Sequence, residues 1–149
     1  MKILLTGANG YIGKRLLPVL LSQGHEVICC VREKSRFKHS EKEKNLSIWE
    51  HDFLQPVIMD KAPTNIDAAY YLIHSMSSSI SDFSKLESQS AENFKEYIDQ
   101  TQAKQIIYLS GITNQDKLSK HLESRRKVEN ILSTSSKPLS TLKAGIIIG

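Results

Sequence analysis

The sequence predicts an α/β domain, a doubly wound parallel sheet with helices on both faces, and three observations carry that prediction. Short β-branched, apolar runs alternate with longer amphipathic stretches, the order that a parallel sheet with crossover helices produces. Several runs are apolar on both faces, as strands sandwiched between helix layers must be. A glycine-rich turn, Gly7 to Gly13, separates the first run from the first amphipathic stretch. The 149 residues, 40 % hydrophobic and 24 % charged, suit one domain with a real core and leave no room for two.

Six strands are expected: Lys2–Thr6, Glu26–Val31, Leu46–Glu50, Ala68–Ile73, Gln105–Leu109 and Ser140–Ile147. The first helix begins near Tyr11 and buries Ile12, Leu16 and Leu20; Pro18 removes one of its hydrogen bonds, and Gly24 supplies the stop. A short helix or turn is expected over Gln55 to Lys61, ended by Pro63. From Asp82 to Thr101 the apolar positions Phe83, Leu86, Phe94, Tyr97, Ile98 and Thr101 repeat near the helical period, with Asp82 or Ser81 as cap. The last helix, Ser119 to Ser133, carries Leu122, Val128, Ile131 and Leu132. Between Arg32 and Lys44, three Glu, six Lys or Arg and one His surround a lone Phe37, the composition of an exposed loop or frayed helix. The serine-rich stretch from Ser75 to Ser81 follows a strand directly.

Composition excludes several classes. No apolar run approaches the ~18 to 20 residues of a membrane span, and the start of the chain does not read as a signal peptide, so a cytoplasmic protein is expected. Cys29 and Cys30 are neighbours in a strand, facing opposite ways, and are expected as buried free thiols. The net charge of +4 is modest, and no basic array interleaves with stacking aromatics, so no nucleic-acid partner is expected. The five histidines are scattered without ligand spacing, and neither a nucleophile elbow nor a Gly-Lys-Ser phosphate loop is present.

The strongest local signal is Thr6-Gly7-Ala8-Asn9-Gly10-Tyr11-Ile12-Gly13, closing the first strand and opening the first helix. Gly7 allows the tight turn, Gly10 lets the backbone approach a pyrophosphate, and Gly13 lets helix and strand pack closely. The free amides and the dipole at the helix start favour an anion there.

With Gly-x-x-Gly-x-x-Gly spacing after a threonine, the chain resembles the extended and atypical short-chain dehydrogenase/reductase superfamily, which implies a Rossmann-like fold. The resemblance runs the length of the chain: Gly24-His25-Glu26-Val27, His51-Asp52-Phe53-Leu54, Asp67 to Met76, and Ile106 to Gly111 all look like landmarks of that family. Tyr70 to Met76 and Ser124-Arg125-Arg126 look most like its NmrA-like, NAD(P)-binding members. The resemblance implies cofactor contacts from Thr6, Gly7, Asn9, Gly10, Tyr11, Ile12, Gly13 and His74, with Asp52 and Phe53 beside the adenine. Lys143 to Gly149 resembles the sixth strand and following turn, where relatives continue into a substrate-binding part. A cofactor-binding half, with an exposed sheet edge favouring a homo-oligomer, is therefore expected.

Cofactor choice is argued from charge. NAD-preferring domains place a carboxylate about twenty residues past the glycines, whereas NADP-preferring ones place an arginine for the extra phosphate. Here the acidic position falls on Val31 and Arg32 follows, so NADP is expected, with Arg32 as the 2′-phosphate ligand and Lys34 and Arg36 as helpers. NAD stays open, because a turn of the loop would bring Glu33 to the ribose instead.

Active members of the superfamily carry a Tyr-x-x-x-Lys pair on the helix after the fifth strand. This chain has His121 and Arg125 at those positions. A histidine exchanges protons near neutral pH and an arginine can still hold ribose or phosphate, so His121, Arg125 and the hydroxyl of Ser110 are the candidate catalytic groups. His74, Ser75 and Thr113 are further candidates. The resemblance implies an oxidoreductase or isomerase acting on a small carbonyl or hydroxyl compound. The replaced pair leaves a second reading, a non-catalytic NADP(H)-sensing regulator with a protein partner, and a third, a nucleotide-sugar epimerase or dehydratase.

Overall fold

The computed structural model describes residues 1–37, 44–74, 80–112 and 119–145, with backbone alone for 80–82. Its strands are β1 (Lys2–Thr6), β2 (Glu26–Val31), β3 (Leu46–Glu50), β4 (Ala68–Tyr71), β5 (Gln105–Gly111) and β6 (Leu139–Ala144). Its α-helices are α1 (Tyr11–Ser22), α2 (Ile80–Asp99) and α3 (Lys120–Ser133). The sheet order is β3-β2-β1-β4-β5-β6 with every pairing parallel, the doubly wound arrangement whose order reverses between β1 and β4.

Side-chain alternation divides the core into two layers. Leu4, Ile28, Cys30, Ala69, Tyr71, Ile106 and Tyr108 point to one face, where Phe94, Tyr97 and Ile98 of α2 and Val128 and Leu132 of α3 cover them. Ile3, Leu5, Val27, Cys29 and Val31 point to the other, under Leu17 and Leu20 of α1. Cys29 and Cys30 thus form no disulfide and are buried on opposite faces, as the strand alternation requires.

Helix α1 runs through Pro18 and ends in a Schellman turn. The amides of Gly24 and His25 donate to the carbonyls of Leu21 and Leu20, and Gly24 takes φ +78°. Helix α3 is capped by Ser119, whose hydroxyl accepts from the Leu122 amide at 3.3 Å.

Several boundaries differ from expectation. Helix α2 starts at Ile80, so neither Ser81 nor Asp82 is its cap. The helix expected over Gln55 to Lys61 contracts to one 3₁₀ turn, Met59–Lys61. β5 continues to Gly111, two residues past Leu109, whereas β4 ends at Tyr71 rather than Ile73. That early end has a local cause: the Thr6 hydroxyl donates to Tyr70 O at 2.9 Å and accepts from Leu72 N at 3.1 Å, replacing the backbone ladder where the chains part. Residues Arg32 to Arg36 are exposed as expected, but Phe37 is buried in the α1-side layer. The expected end of β6 beyond Gly145 lies outside the described residues.

Candidate functional site

The divergence of β1 and β4 opens a cavity of about 840 Å³ beyond the carboxyl ends of the strands. The loop from Gly7 to Gly13 forms its floor. Gly7 has φ +65°, and a Cβ there would stand 2.5 Å from Leu72 O; one on Gly13 would stand 2.5 Å from Gly7 O. Larger residues at either position would force the loop apart. Gly10 closes the turn by donating to Gly7 O at 2.9 Å and is the N-cap of α1. No side chain caps that helix start, and its first turn carries no acidic residue. The first-turn amides and the positive end of the dipole are thus left for an anion. Asn9, Tyr11 and Ile12 also line the cavity, with Arg15 lying 3.7 Å over the Tyr11 ring. Thr6, expected at the cofactor, does not line it; its hydroxyl is buried between β1 and β4.

Arg32 and Arg36 stand at the exposed rim beyond β2. Glu33, the alternative ribose ligand, accepts from Ser35 Oγ at 2.8 Å and pairs with Arg36 Nε at 3.4 Å. Among the described residues no carboxylate pairs with Arg32.

The turn after β3 supplies the next wall. Asp52 Oδ1 accepts from Leu54 N at 3.0 Å, fixing the turn, and Phe53 is buried with its ring edge-on to His51. The His51 ring stacks on Trp49 at 5.0 Å between centroids. Burial pushes the His51 pKa down. Helix α2 holds the turn from behind: Gln89 Nε2 donates to Leu54 O and Asn93 Nδ2 to Phe53 O, while Ser90 reaches the cavity itself. Sequence reasoning missed these three polar residues. Their signal lies in the polar positions between the apolar repeat of Phe83, Leu86 and Phe94.

At the inner end His74 lines the cavity. Arg125 of α3 reaches it, with Nη1 3.1 Å from His74 Nε2. Buried Glu87, a residue unmarked in the sequence, lies beside the same imidazole and accepts from the Ser124 hydroxyl. Ser110 is buried on β5 without a hydrogen bond of regular geometry, near enough to the Tyr108 phenol to favour its ionisation, against burial that pushes that phenol up to about 12. His121 does not join this group. It is exposed, its ring edge-on to Phe83 at 5.1 Å, whereas Arg125, one turn further along α3, turns to His74. Ser75 and Thr113 lie outside the described residues. No three His, Cys, Asp or Glu side chains cluster as metal ligands among the described residues.

A six-stranded parallel sheet with a glycine loop and an uncapped helix start at its switch point defines a dinucleotide-binding domain. The chain belongs to the NAD(P)H-binding family, whose model matches residues 7–143. Two features fit the group this family implies: the glycine loop with its uncapped helix start, and the buried, unpartnered side-chain atoms Asn9 Oδ1 and His51 Nε2 on the cavity walls. No curated protein matches the sequence. Solved structures share the fold. A candidate NAD-dependent epimerase/dehydratase from Bacillus halodurans superposes with TM-score 0.82 at 21 % identity, over 97 % of this chain and 70 % of that one. WbmH of Bordetella bronchiseptica, in complex with NAD+, gives 0.76 at 16 %, over 99 % and 56 %. UDP-glucuronic acid 4-epimerase from Bacillus cereus, in complex with NAD, gives 0.75 at 18 %, over 97 % and 56 %. The chain therefore spans little more than half the length of the last two. No described helix is long and apolar enough to cross a membrane.

Proposed function

We propose that the chain is the NADP(H)-binding domain of an atypical short-chain dehydrogenase/reductase, whose whole protein is a cytoplasmic oxidoreductase or isomerase acting on a small carbonyl or hydroxyl compound. The observation that carries the reading is that one cavity joins the uncapped start of α1 to the Arg32 rim. In this reading the first-turn amides of Tyr11, Ile12 and Gly13, with Gly7, Asn9 and Gly10, hold the pyrophosphate. Arg32 takes the 2′-phosphate with Arg36 beside it, because Glu33 is already engaged by Ser35 and Arg36. Asp52 and Phe53 bound the adenine, and His74 the nicotinamide end. The bound dinucleotide supplies a hydride donor or acceptor. Arg125 touches His74 at that end without lining the cavity, Ser110 stands on β5, and His121 requires a different side-chain orientation to take part.

The placement of His121 favours a second reading, a non-catalytic NmrA-like regulator that binds NADP(H) and signals to a protein partner. Calorimetric titration with NADPH and with NADH tests the common core of both. Tighter NADPH binding is expected; binding of neither by the folded chain overturns the assignment. Turnover across carbonyl compounds by the whole protein then separates enzyme from sensor.

A further inference from the structure

Among the described residues of α2, Ser90 alone lines the cavity. It is 2 % exposed, and no described group hydrogen-bonds to its hydroxyl. Comparable hydroxyls find an outlet within the chain. Buried Thr101 donates to Ile98 O at 2.8 Å, and buried Ser124 donates to Glu87. Ser22 and Ser133 donate to the carbonyl three residues back, at 2.8 and 2.7 Å. A hydroxyl held away from bulk water without a partner costs stability. Alanine would fill the same place on a helix without that cost, so packing alone does not account for a serine here.

The neighbours of Ser90 fix which end of the cavity it faces. Gln89 Nε2 donates to Leu54 O at 2.9 Å and Asn93 Nδ2 to Phe53 O at 2.8 Å, so α2 is clasped to the turn after β3 on both sides of Ser90. Phe53 and Leu54 make this part of the wall apolar, and the Cys30 thiol beside them is spent on His51 O. Asp52 supplies acceptor oxygens, one of which already serves Leu54 N at 3.0 Å. The edges of an adenine present an amino donor together with ring-nitrogen acceptors. Asp52 answers the amino group alone; the Ser90 hydroxyl is a donor for the ring.

We propose that Ser90 is a specificity-determining residue for the base, its Oγ donating to a ring nitrogen of an adenine that lies against Phe53 while Asp52 accepts from the amino group. This rests on the dinucleotide reading of the cavity. It brings α2 into the site as a third element, beside the glycine loop and the Arg32 rim. A base with an oxo group in place of the amino group puts an acceptor opposite Asp52, so the two residues together select adenine.

The test is a calorimetric cycle on the chain. Wild type and Ser90→Ala are titrated with adenosine 5′-diphosphate, the adenine end common to NADH and NADPH, and with its 1-deaza, 3-deaza and 7-deaza analogues, each of which replaces one ring nitrogen by C–H. Ser90→Ala should weaken the parent diphosphate about fivefold, the loss of one hydrogen bond. Its thermal transition should stay at or above the wild-type value, because the hydroxyl has no internal partner to lose. One deaza analogue should cost wild type a similar factor and cost Ser90→Ala nothing further, since variant and analogue remove the same contact. Unchanged affinity in Ser90→Ala, or independent losses for all three analogues, overturns the contact, as does a lowered thermal transition accompanying the weaker binding. A wild type indifferent to all three analogues overturns it without any variant. A wild type that binds neither the diphosphate nor NADPH nor NADH overturns the dinucleotide reading itself.

Discussion

Arg32 and Gly10 separate cofactor choice from cofactor binding. Arg32 is exposed at the rim without a carboxylate partner among the described residues, so removing its side chain leaves the fold intact. Arg32→Ala is expected to weaken NADPH by about 1.5–3 kcal/mol, the value of a charged hydrogen bond, and NADH much less. Equal losses for both cofactors, measured by calorimetry, would move the 2′-phosphate contact elsewhere. At Gly10 an added Cβ meets only Gly7 O, at 3.1 Å, so the loop yields by a few tenths of an ångström. Gly10→Val should keep the thermal transition close to wild type while abolishing dinucleotide binding, because the side chain occupies the approach to the helix-start amides. Unchanged affinity would take the loop out of the site. The glycines and Arg32 were legible in the sequence because their roles depend on backbone shape and on position at a strand end. Glu87 and Ser124 were not, because a buried acid and hydroxyl on two helices become partners only after those helices meet.

Period and punctuation place the strands and helices, and the strands on one side of the sheet come out closest. β1, β2 and β3 match expectation to the residue, since Glu26 and Leu46 each follow a turn and Lys2 opens the chain's first apolar run. Errors fell at ends decided by tertiary contacts, as at β4, where the Thr6 hydroxyl replaces the ladder. The start of α3 shows the opposite case, a boundary set by one side chain. Ser119→Ala removes the hydroxyl that accepts from Leu122 N and should destabilise the domain by about 1 kcal/mol in urea unfolding. The loss should appear without any change in the adenine wall, which α2 holds. An unchanged unfolding midpoint would mean that packing of Val128 and Leu132 alone fixes the helix.

Across the whole molecule, two half-buried histidines link stability to pH. His74 has an ordinary value of 6.5 when unfolded and about 4 when folded, so the unfolded chain takes up more protons between these values. Stability should be full above pH 6.5 and fall as the pH drops toward 4, by about 2–3 kcal/mol from this residue, with His51 adding in the same direction. Urea unfolding between pH 7 and 5 checks the sign, and a His74→Gln variant should flatten the slope; a slope that rises toward acid would contradict the buried neutral ring. The same separation of environments extends to the sheet as a whole. Because Cys29 and Cys30 are adjacent yet lie under different helix layers, each is shielded by a different part of the molecule. A thiol reagent would therefore run two clocks in one strand, Cys29 timing the lifting of α1 and Cys30 the opening of the opposite layer at the cavity wall. The rates of two neighbouring sulfur atoms thus become a measure of whether the halves of the sandwich open together or alone.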